Sequence, residues 1–375
     1  MTDKKRILIL MTALNGGGAE KVLVDLLRHF DYQRFAITLS LVYPEGIYLN
    51  QIPAEVRQKP LFDSKNALAR RLLKWLYHKL HWLFPLKCWL LLNNQEYYDT
   101  IISFMESEPV LYHYCLMRRG AKHFTWVHTD FQTHYWSRIM FVGDDERKIY
   151  DMMDMVVFVS STTQEKFNQV IKCDAPQTVI HNFVDYDYVA SFAETKRNIE
   201  DEGKFIICAV GSLWSVKRFD KLIDAAALLC EHNAFGKPFE VWIIGEGPDR
   251  PKLERQIIEL GLENIVKLKG FHQPPYELMA QADVFVSTSE AESFGLVIAE
   301  ALCLGLPVVA TLTSGSEELL SSNHGILTGH GVEDIAEGIR LVAADLAHYT
   351  SLSGQRTLEL FVQNSPLNKI YDLIG

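Results

Sequence analysis

Val284-Phe285-Val286-Ser287-Thr288-Ser289-Glu290-Ala291-Glu292-Ser293-Phe294-Gly295-Leu296-Val297-Ile298-Ala299-Glu300 continues through Leu304-Gly305-Leu306 into Pro307-Val308-Val309-Ala310. The order is an apolar run, a polar loop, an apolar helical stretch over about 294–304, and a second apolar run. Unbroken apolar runs mark strands buried on both faces of a parallel sheet. The unit repeats outward. Upstream lie Phe205–Val210, Phe239–Ile244 and Ile265–Leu268, with helical stretches at about Lys217–Cys230 and 249–260 and a short one near 274–281. Farther upstream, runs at 6–11, 36–43, 99–104, 122–128 and 155–160 form a separate series. Val22, Leu23, Leu26, Leu27 and Phe30 keep helical spacing after the first of these. Such alternation predicts the doubly wound α/β class, twice over.

A length of 375 residues suits two such domains. Between the two series, residues 190–204 are crowded with Glu194, Lys196, Arg197, Glu200, Asp201, Glu202 and Lys204, as expected of a solvated connection. The predicted division is a first domain over 1–185, a linker over 186–204, a second domain over 205–345, and a helical segment over 346–375 that can return to the first domain.

Composition excludes several classes. Apolar residues make up 48% of the chain, too many for a disordered protein. With 37 Lys+Arg against 47 Asp+Glu, the formal charge of -10 suits nucleic acid poorly. Cys88, Cys115, Cys173, Cys208, Cys230 and Cys303 form no CxxC pair and have no His at zinc-finger spacing. They read as thiols in a reducing compartment rather than a disulfide framework or metal site. The apolar run Ile7–Met11 is too short for a signal-peptide core, so a cytosolic location is expected.

The chemistry-bearing residues fall at strand ends. Glu292 and Glu300 are eight apart, and on a continuous helix they share a side two turns apart. Glu292 lies where ligands bind in parallel sheets, beyond the strand's C-terminal end. The N–H groups near Phe294, Gly295 and Leu296 can receive an anion, and a carboxylate among them can accept sugar hydroxyls. The plainer alternative is a helix-capping Glu followed by a solvated one. Val210-Gly211-Ser212-Leu213-Trp214-Ser215-Val216-Lys217 passes from strand to loop to helix, and Lys217 is placed to neutralise a diphosphate. Gly16-Gly17-Gly18 offers amides to a phosphate or sugar. It lacks the Walker Lys-Ser/Thr and is not G-x-G-x-x-G, which disfavours a dinucleotide cofactor. Trp126-Val127-His128-Thr129-Asp130 follows a strand, and Asp185-Tyr186-Asp187 has the D-x-D form of a metal–nucleotide site.

Residues 204–328 resemble the C-terminal domain of a family 4 glycosyltransferase with the GT-B fold. The resemblance rests on Gly245-Glu246-Gly247-Pro248, Gly270-Phe271, Ala282–Ser287, the E-x7-E pair Glu292 and Glu300, and Gly305–Ala310, in the right order. The first half resembles the family more loosely. The resemblance implies two Rossmann-like domains facing a central cleft, and transfer of a hexose from a nucleotide diphosphate sugar with retention. It implies that Glu292 and His128 contact the transferred sugar, Glu300 the ribose hydroxyls and Lys217 the leaving diphosphate. Gly16, Gly17, Gly211, Ser212, Phe271, Ser293, Phe294, Gly295 and Leu296 would complete the donor site, with Asp130 on the acceptor side. Ser212 departs from the family's usual Arg and removes one positive charge, for which Arg218 is a candidate replacement. Asp185-Tyr186-Asp187 falls at the family's interdomain crossover, so no metal and no other cofactor is expected.

Between Asp63 and Glu96 there is no acidic residue, whereas Lys65, Arg70, Arg71, Lys74, Lys79 and Lys87 all fall there. Over 67–84, Leu68, Leu72, Leu76, Leu80 and Leu83 form one helical stripe and Arg70, Arg71, Lys74, His78 and His81 gather opposite. Too many charges are present for a spanning helix. Two readings fit. Arg70, Arg71, Lys74, Trp75 and Trp82 face an anionic bilayer, or the segment is an ordinary amphipathic helix on the core. The expected partners are a nucleotide-sugar donor, UDP being the first choice, and a lipid-linked or envelope glycan acceptor reached from the inner face of the plasma membrane. A nucleotide-sugar epimerase and a non-catalytic donor-binding subunit are the alternatives, and the oligomeric state is open.

Overall fold

The computed structural model describes residues 4–62, 67–133, 135–195, 203–232, 234–321 and 324–375. Lys65 and the linker charges Lys196, Arg197, Glu200, Asp201 and Glu202 lie outside the described residues. The chain divides into two units, one formed by residues 1–183 with 366–375, the other by 184–365.

The first unit is built on β1 (Lys5–Met11), α1 (Gly18–Arg28), β2 (Phe35–Leu41), β3 (Arg57–Gln58), α2 (Ala67–Leu80), α3 (Phe84–Asn93), β4 (Tyr98–Ser103), α4 (Glu108–Leu116), β5 (Gly120–Val127), α5 (Asp145–Tyr150), β6 (Met155–Phe158), α6 (Ser161–Val170) and β7 (Gln177–Val179). Its strands lie in the order β3-β2-β1-β4-β5-β6-β7, and every pairing is parallel. Ile7, Ile9 and Leu10 of β1 are buried on both faces, which accounts for the unbroken apolar run.

The second unit contains α7 (Tyr186–Ala190), β8 (Phe205–Val210), α8 (Phe219–Glu231), β9 (Phe239–Ile244), α9 (Arg250–Glu259), β10 (Val266–Gly270), α10 (Tyr276–Met279), β11 (Val284–Ser287), α11 (Leu296–Cys303), β12 (Val308–Thr311), α12 (Ser314–Leu320), β13 (Ile326–Thr328), α13 (Val332–Ala344) and α14 (Leu346–Thr357). Its order is β10-β9-β8-β11-β12-β13, again wholly parallel. In both sheets the chain winds one way from a central strand and then returns to wind the other way. The order reverses between β1 and β4 in one and between β8 and β11 in the other. Loops leaving the C-terminal ends of those strands frame the crevice where such folds bind ligands.

Three boundaries differ from the sequence reading. Residues 186–190, assigned to a linker, form α7, because Asp185 caps it by accepting the Tyr188 amide at 3.2 Å. Tyr188 and Phe192 then pack on Tyr276 at 5.9 and 5.6 Å between ring centroids, within the second unit. The segment 346–375 is not one piece. The Thr357 hydroxyl donates to the Leu302 carbonyl at 2.7 Å and holds α14 in the second unit. The final helix α15 (Pro366–Ile374) joins the first, where Tyr371 donates to the His29 carbonyl at 2.9 Å and stacks on Phe35. Lastly, the 67–84 segment is not one helix. It breaks at His81, which has φ 52°, and α3 begins at Phe84.

Candidate active site

The switch point of the second unit gathers residues that are 75 apart in the chain. The loop after β8 and the loop after β11 are joined by the Glu290 amide donating to the Val216 carbonyl at 2.8 Å. The Thr288 hydroxyl also donates to the Lys217 carbonyl at 2.8 Å. On this frame the Lys217 ammonium forms an ion pair with the Glu292 carboxylate. The same carboxylate oxygen accepts the Ser289 hydroxyl at 2.9 Å, and the Glu292 carbonyl accepts the Gly315 amide at 2.7 Å. Glu292 is therefore held by its backbone and by two side chains. The Lys217 stem passes over Gly211, where an added Cβ would stand 3.4 Å from its Cε. Gly245 is required: at φ +148° its Cβ would fall 1.9 Å from the Gly211 carbonyl oxygen.

Glu292 and Glu300 do not share a helix. α11 begins at Leu296, after Gly295 with φ 79°, a left-handed conformation that favours glycine. Glu292 is thus a loop residue. Glu300 lies on α11, is buried, and accepts the Tyr276 hydroxyl at 2.9 Å. The structure brings Glu292 to Lys217 and Glu300 to the Tyr188–Phe192–Tyr276 cluster. Phe294 is buried, Ser293 and Leu296 are half-buried, and Ser212 and Phe271 are exposed. Arg218, the candidate replacement for the missing Arg, pairs with Asp220 at 3.2 Å and Glu290 at 3.7 Å.

In the first unit the glycine loop follows β1, and the amides of Gly16 and Gly17 are engaged within the chain. The Glu20 carboxylate of α1 accepts both, at 2.6 and 3.1 Å, completing the helix's own N-terminus. His128 follows β5 and is buried, and neither ring nitrogen has a hydrogen-bond partner among the described residues. Burial pushes its imidazole down to about 3, with the Phe104 backbone opposing only part of the effect. It is a neutral imidazole at physiological pH. Asp130 forms an ion pair with Lys166 at 2.6 Å and accepts the Gln132 and Thr133 amides. Burial alone would raise its pKa, but these partners hold it below the ordinary carboxylate value.

Sequence reasoning missed Glu106. It lies three residues beyond β4, is fully buried, and accepts the His128 amide at 3.0 Å, the Trp136 indole N–H at 3.2 Å and the Thr129 hydroxyl. The available signal was position alone: Phe104-Met105-Glu106-Ser107 leaves a strand end as His128 does.

In the acid-free segment Arg70 and Lys74 differ from the bilayer-facing reading. Leu73 and Tyr77 of α2 are its buried residues. Lys74 forms an ion pair with the buried Glu108 carboxylate, and Arg70 lies 4.3 Å over the Tyr43 ring while donating to the Val42 carbonyl. These cations are structural. A buried carboxylate demands a counter-charge, and meeting that demand leaves part of the leucine stripe outward: Leu68 is 80% exposed and Leu72 57%, while Leu76 and Leu83 pack on the core. Trp75, Leu80, Trp82 and Phe84 are exposed beside them, as are Arg71 and Lys79. No helix among the described residues is long and apolar enough to cross a membrane. Also among the described residues, no group of three or more His, Cys, Asp or Glu could hold a metal ion, and Asp185 serves as the α7 cap.

Residues 16–188 match the family described as Glycosyltransferase Family 4, and residues 191–354 match Glycosyl transferases group 1. The GDP-mannose-dependent alpha-(1-6)-phosphatidylinositol dimannoside mannosyltransferase of Mycobacterium tuberculosis is 30% identical over 158 residues, 42% of this chain and 40% of that protein. The lipopolysaccharide core biosynthesis glycosyltransferase LpsE of Rhizobium meliloti is 28% identical over 48% of this chain and 52% of its own length. The chain thus matches about half of these curated relatives or less. The crystal structure of Anabaena HepE in complex with UDP and glucose aligns over 98% of both chains with a TM-score of 0.75 at 23% identity, which shows a shared fold. The two family matches nearly abut and leave little of the chain outside them: this protein belongs to the family 4 glycosyltransferases, which carry the GT-B fold.

Proposed function

We propose that the protein is a retaining glycosyltransferase that moves a hexose from a nucleotide diphosphate sugar, UDP-hexose first, to a lipid-linked or envelope glycan acceptor. The observation that carries this reading is the Lys217–Glu292 couple at the switch point of the second sheet, with a cation for the diphosphate beside a carboxylate for the sugar. In the reaction the bond from the anomeric carbon to the diphosphate oxygen breaks, and its electron pair leaves with the diphosphate. Lys217 and the first amides of α11 stabilise that charge. The acceptor oxygen bonds to the same face of the anomeric carbon, and its proton passes to a leaving phosphate oxygen. The charge is met by Lys217 and backbone amides, so the reading includes no resident metal. A screen of nucleotide sugars for binding, then for transfer to lipid-linked acceptors with and without EDTA, tests it. Transfer is expected and survives EDTA. Epimerised sugar in the absence of acceptor, or activity that only Mg²⁺ or Mn²⁺ restores, overturns it.

The acceptor class extends to a location. The reading places the protein in the cytosol, peripheral on an anionic bilayer. Leu68, Leu72, Trp75, Leu80, Trp82 and Phe84 enter the interface, and Arg71 and Lys79 meet the headgroups. The support is that Leu, Trp and Phe side chains stand exposed together while two neighbouring cations remain outward. Sedimentation with phosphatidylglycerol-containing vesicles tests it. Leu72→Asp with Trp75→Ser is expected to abolish binding, and unchanged binding refutes this surface.

A further inference from the structure

Beyond β5 the chain makes a short 3₁₀ helix, Trp136–Met140, whose first residue is held unusually well for an exposed aromatic. The Trp136 indole N–H donates to Glu106 at 3.2 Å and to the Thr129 hydroxyl at 3.2 Å, yet the residue is 38% exposed. The polar edge of the ring is tied to a fully buried carboxylate, and its remaining surface reaches solvent. Among the described residues that carboxylate has no cation partner: its donors are the His128 amide, the Thr129 hydroxyl and the indole. Burying a carboxylate on neutral donors alone is unfavourable relative to an apolar core, and what it secures here is the position of Trp136 relative to His128.

Two further groups in the same strand-end cluster lack partners. The Ser107 hydroxyl is 1% exposed, follows Glu106 directly, and has no hydrogen bond. Ser107 also holds φ 78° without being a glycine, a strained conformation of the kind found at binding sites. The two ring nitrogens of His128 are likewise unpartnered and buried. A fixed, partly exposed aromatic surface matches one ligand chemistry well. A pyranose ring presents polarised C–H groups on a face and hydroxyls around its rim. The exposed aromatic face takes the first.

We propose that Trp136 is the stacking platform of a subsite for a pyranose ring of the acceptor, held in place by Glu106. This rests on the transferase reading above for the word acceptor; the binding of a pyranose ring is tested without it. The test is saturation-transfer difference NMR on the full chain, with methyl α-D-glucopyranoside, methyl α-D-galactopyranoside and methyl 2-acetamido-2-deoxy-α-D-glucopyranoside as probes. At least one is expected to receive saturation at ring protons of a single face. Trp136→Leu, which keeps apolar bulk without a π face, is expected to weaken that glycoside at least fivefold. Trp136→Phe, which keeps the face and loses the N–H bonds, is expected to retain binding within about threefold. Thermal unfolding confirms that each variant is folded. Binding by Trp136→Leu equal to the wild type, or no saturation of any of the three probes, overturns the proposal. Absence of all nucleotide-sugar turnover in the wild type instead removes the transferase reading and leaves the glycoside result standing.

Discussion

Replacing Glu292 by Gln should strengthen binding of the nucleoside diphosphate while it abolishes sugar transfer. Without donor, the Lys217 ammonium is committed to Glu292. A diphosphate that takes Lys217 must first break that pair. Exposed pairs contribute about 0.2–1 kcal/mol, whereas breaking a buried pair costs about 3–5 kcal/mol. Here the side chains are 20% and 15% exposed, so a net contribution of about 1–1.4 kcal/mol is expected, equivalent to about 5- to 10-fold in Kd. Gln keeps the shape and an oxygen for the Ser289 hydroxyl but carries no charge. Calorimetric titration of UDP into wild type, Glu292→Gln, Lys217→Ala and the double variant measures the effect. The single Gln variant should bind UDP about 5- to 10-fold more tightly, and Lys217→Ala should bind it at least 10-fold more weakly. In the Lys217→Ala background the Gln substitution should change little, giving a coupling of about 1 kcal/mol. An equal gain in both backgrounds would mean general repulsion between Glu292 and the diphosphate, and the ion-pair argument would be wrong. Weaker UDP binding by Glu292→Gln would refute it outright.

Lys74→Met should destabilise the first unit by about 3–5 kcal/mol, because Glu108 is left buried and charged; adding Glu108→Gln should restore most of that loss, as read by denaturant unfolding. Stability should also fall on mild acidification. Burial holds His113 well below the usual imidazole value and His128 at about 3, so below pH ~6.5 the unfolded chain takes up protons that the folded chain refuses. Each of the two then loses about 1.4 kcal/mol of stability by pH ~5.5, and urea unfolding at pH 7.5 and 5.5 measures the sum. A flat profile would mean that these imidazoles reach solvent. Gly295→Ala should lower stability by about 1 kcal/mol or more, since Ala does not relax at φ 79°, and thermal unfolding checks it.

Much of the architecture was legible in advance because parallel strands buried on both faces leave a signature that needs no partner to be read. The runs at 205–210 and 239–244 coincide with β8 and β9, and 6–11 differs from β1 by one residue. Very short strands carry too few residues for a signal: β3 spans two residues and β7 three. Glu292 and Lys217, which the structure pairs, each stand after a strand end in a recognisable pattern. Glu106 and Trp136 were not legible, since a carboxylate and an indole 30 positions apart gain their meaning only from a hydrogen bond.

α2 shows why periodicity alone misleads. A stripe of leucines opposite a stripe of cations predicts leucines inward, and that is right when the surface beneath is apolar. Beneath α2 lie Tyr43 and the carboxylate of Glu108, so Arg70 and Lys74 turn in and Leu68, Leu72 and Leu80 turn out, while Leu73 and Leu76 face the core. The sequence by itself determined the fold class, the family and the strand ends where chemistry belongs, because those follow from local apolar patterning and motif order. Only the tertiary structure decided which charges are already spent. Glu20 occupies the Gly16 and Gly17 amides, Asp220 and Glu290 hold Arg218, and Glu292 holds Lys217. Pairing depends on which side chains the fold brings within a few ångströms, and chain order does not carry that distance.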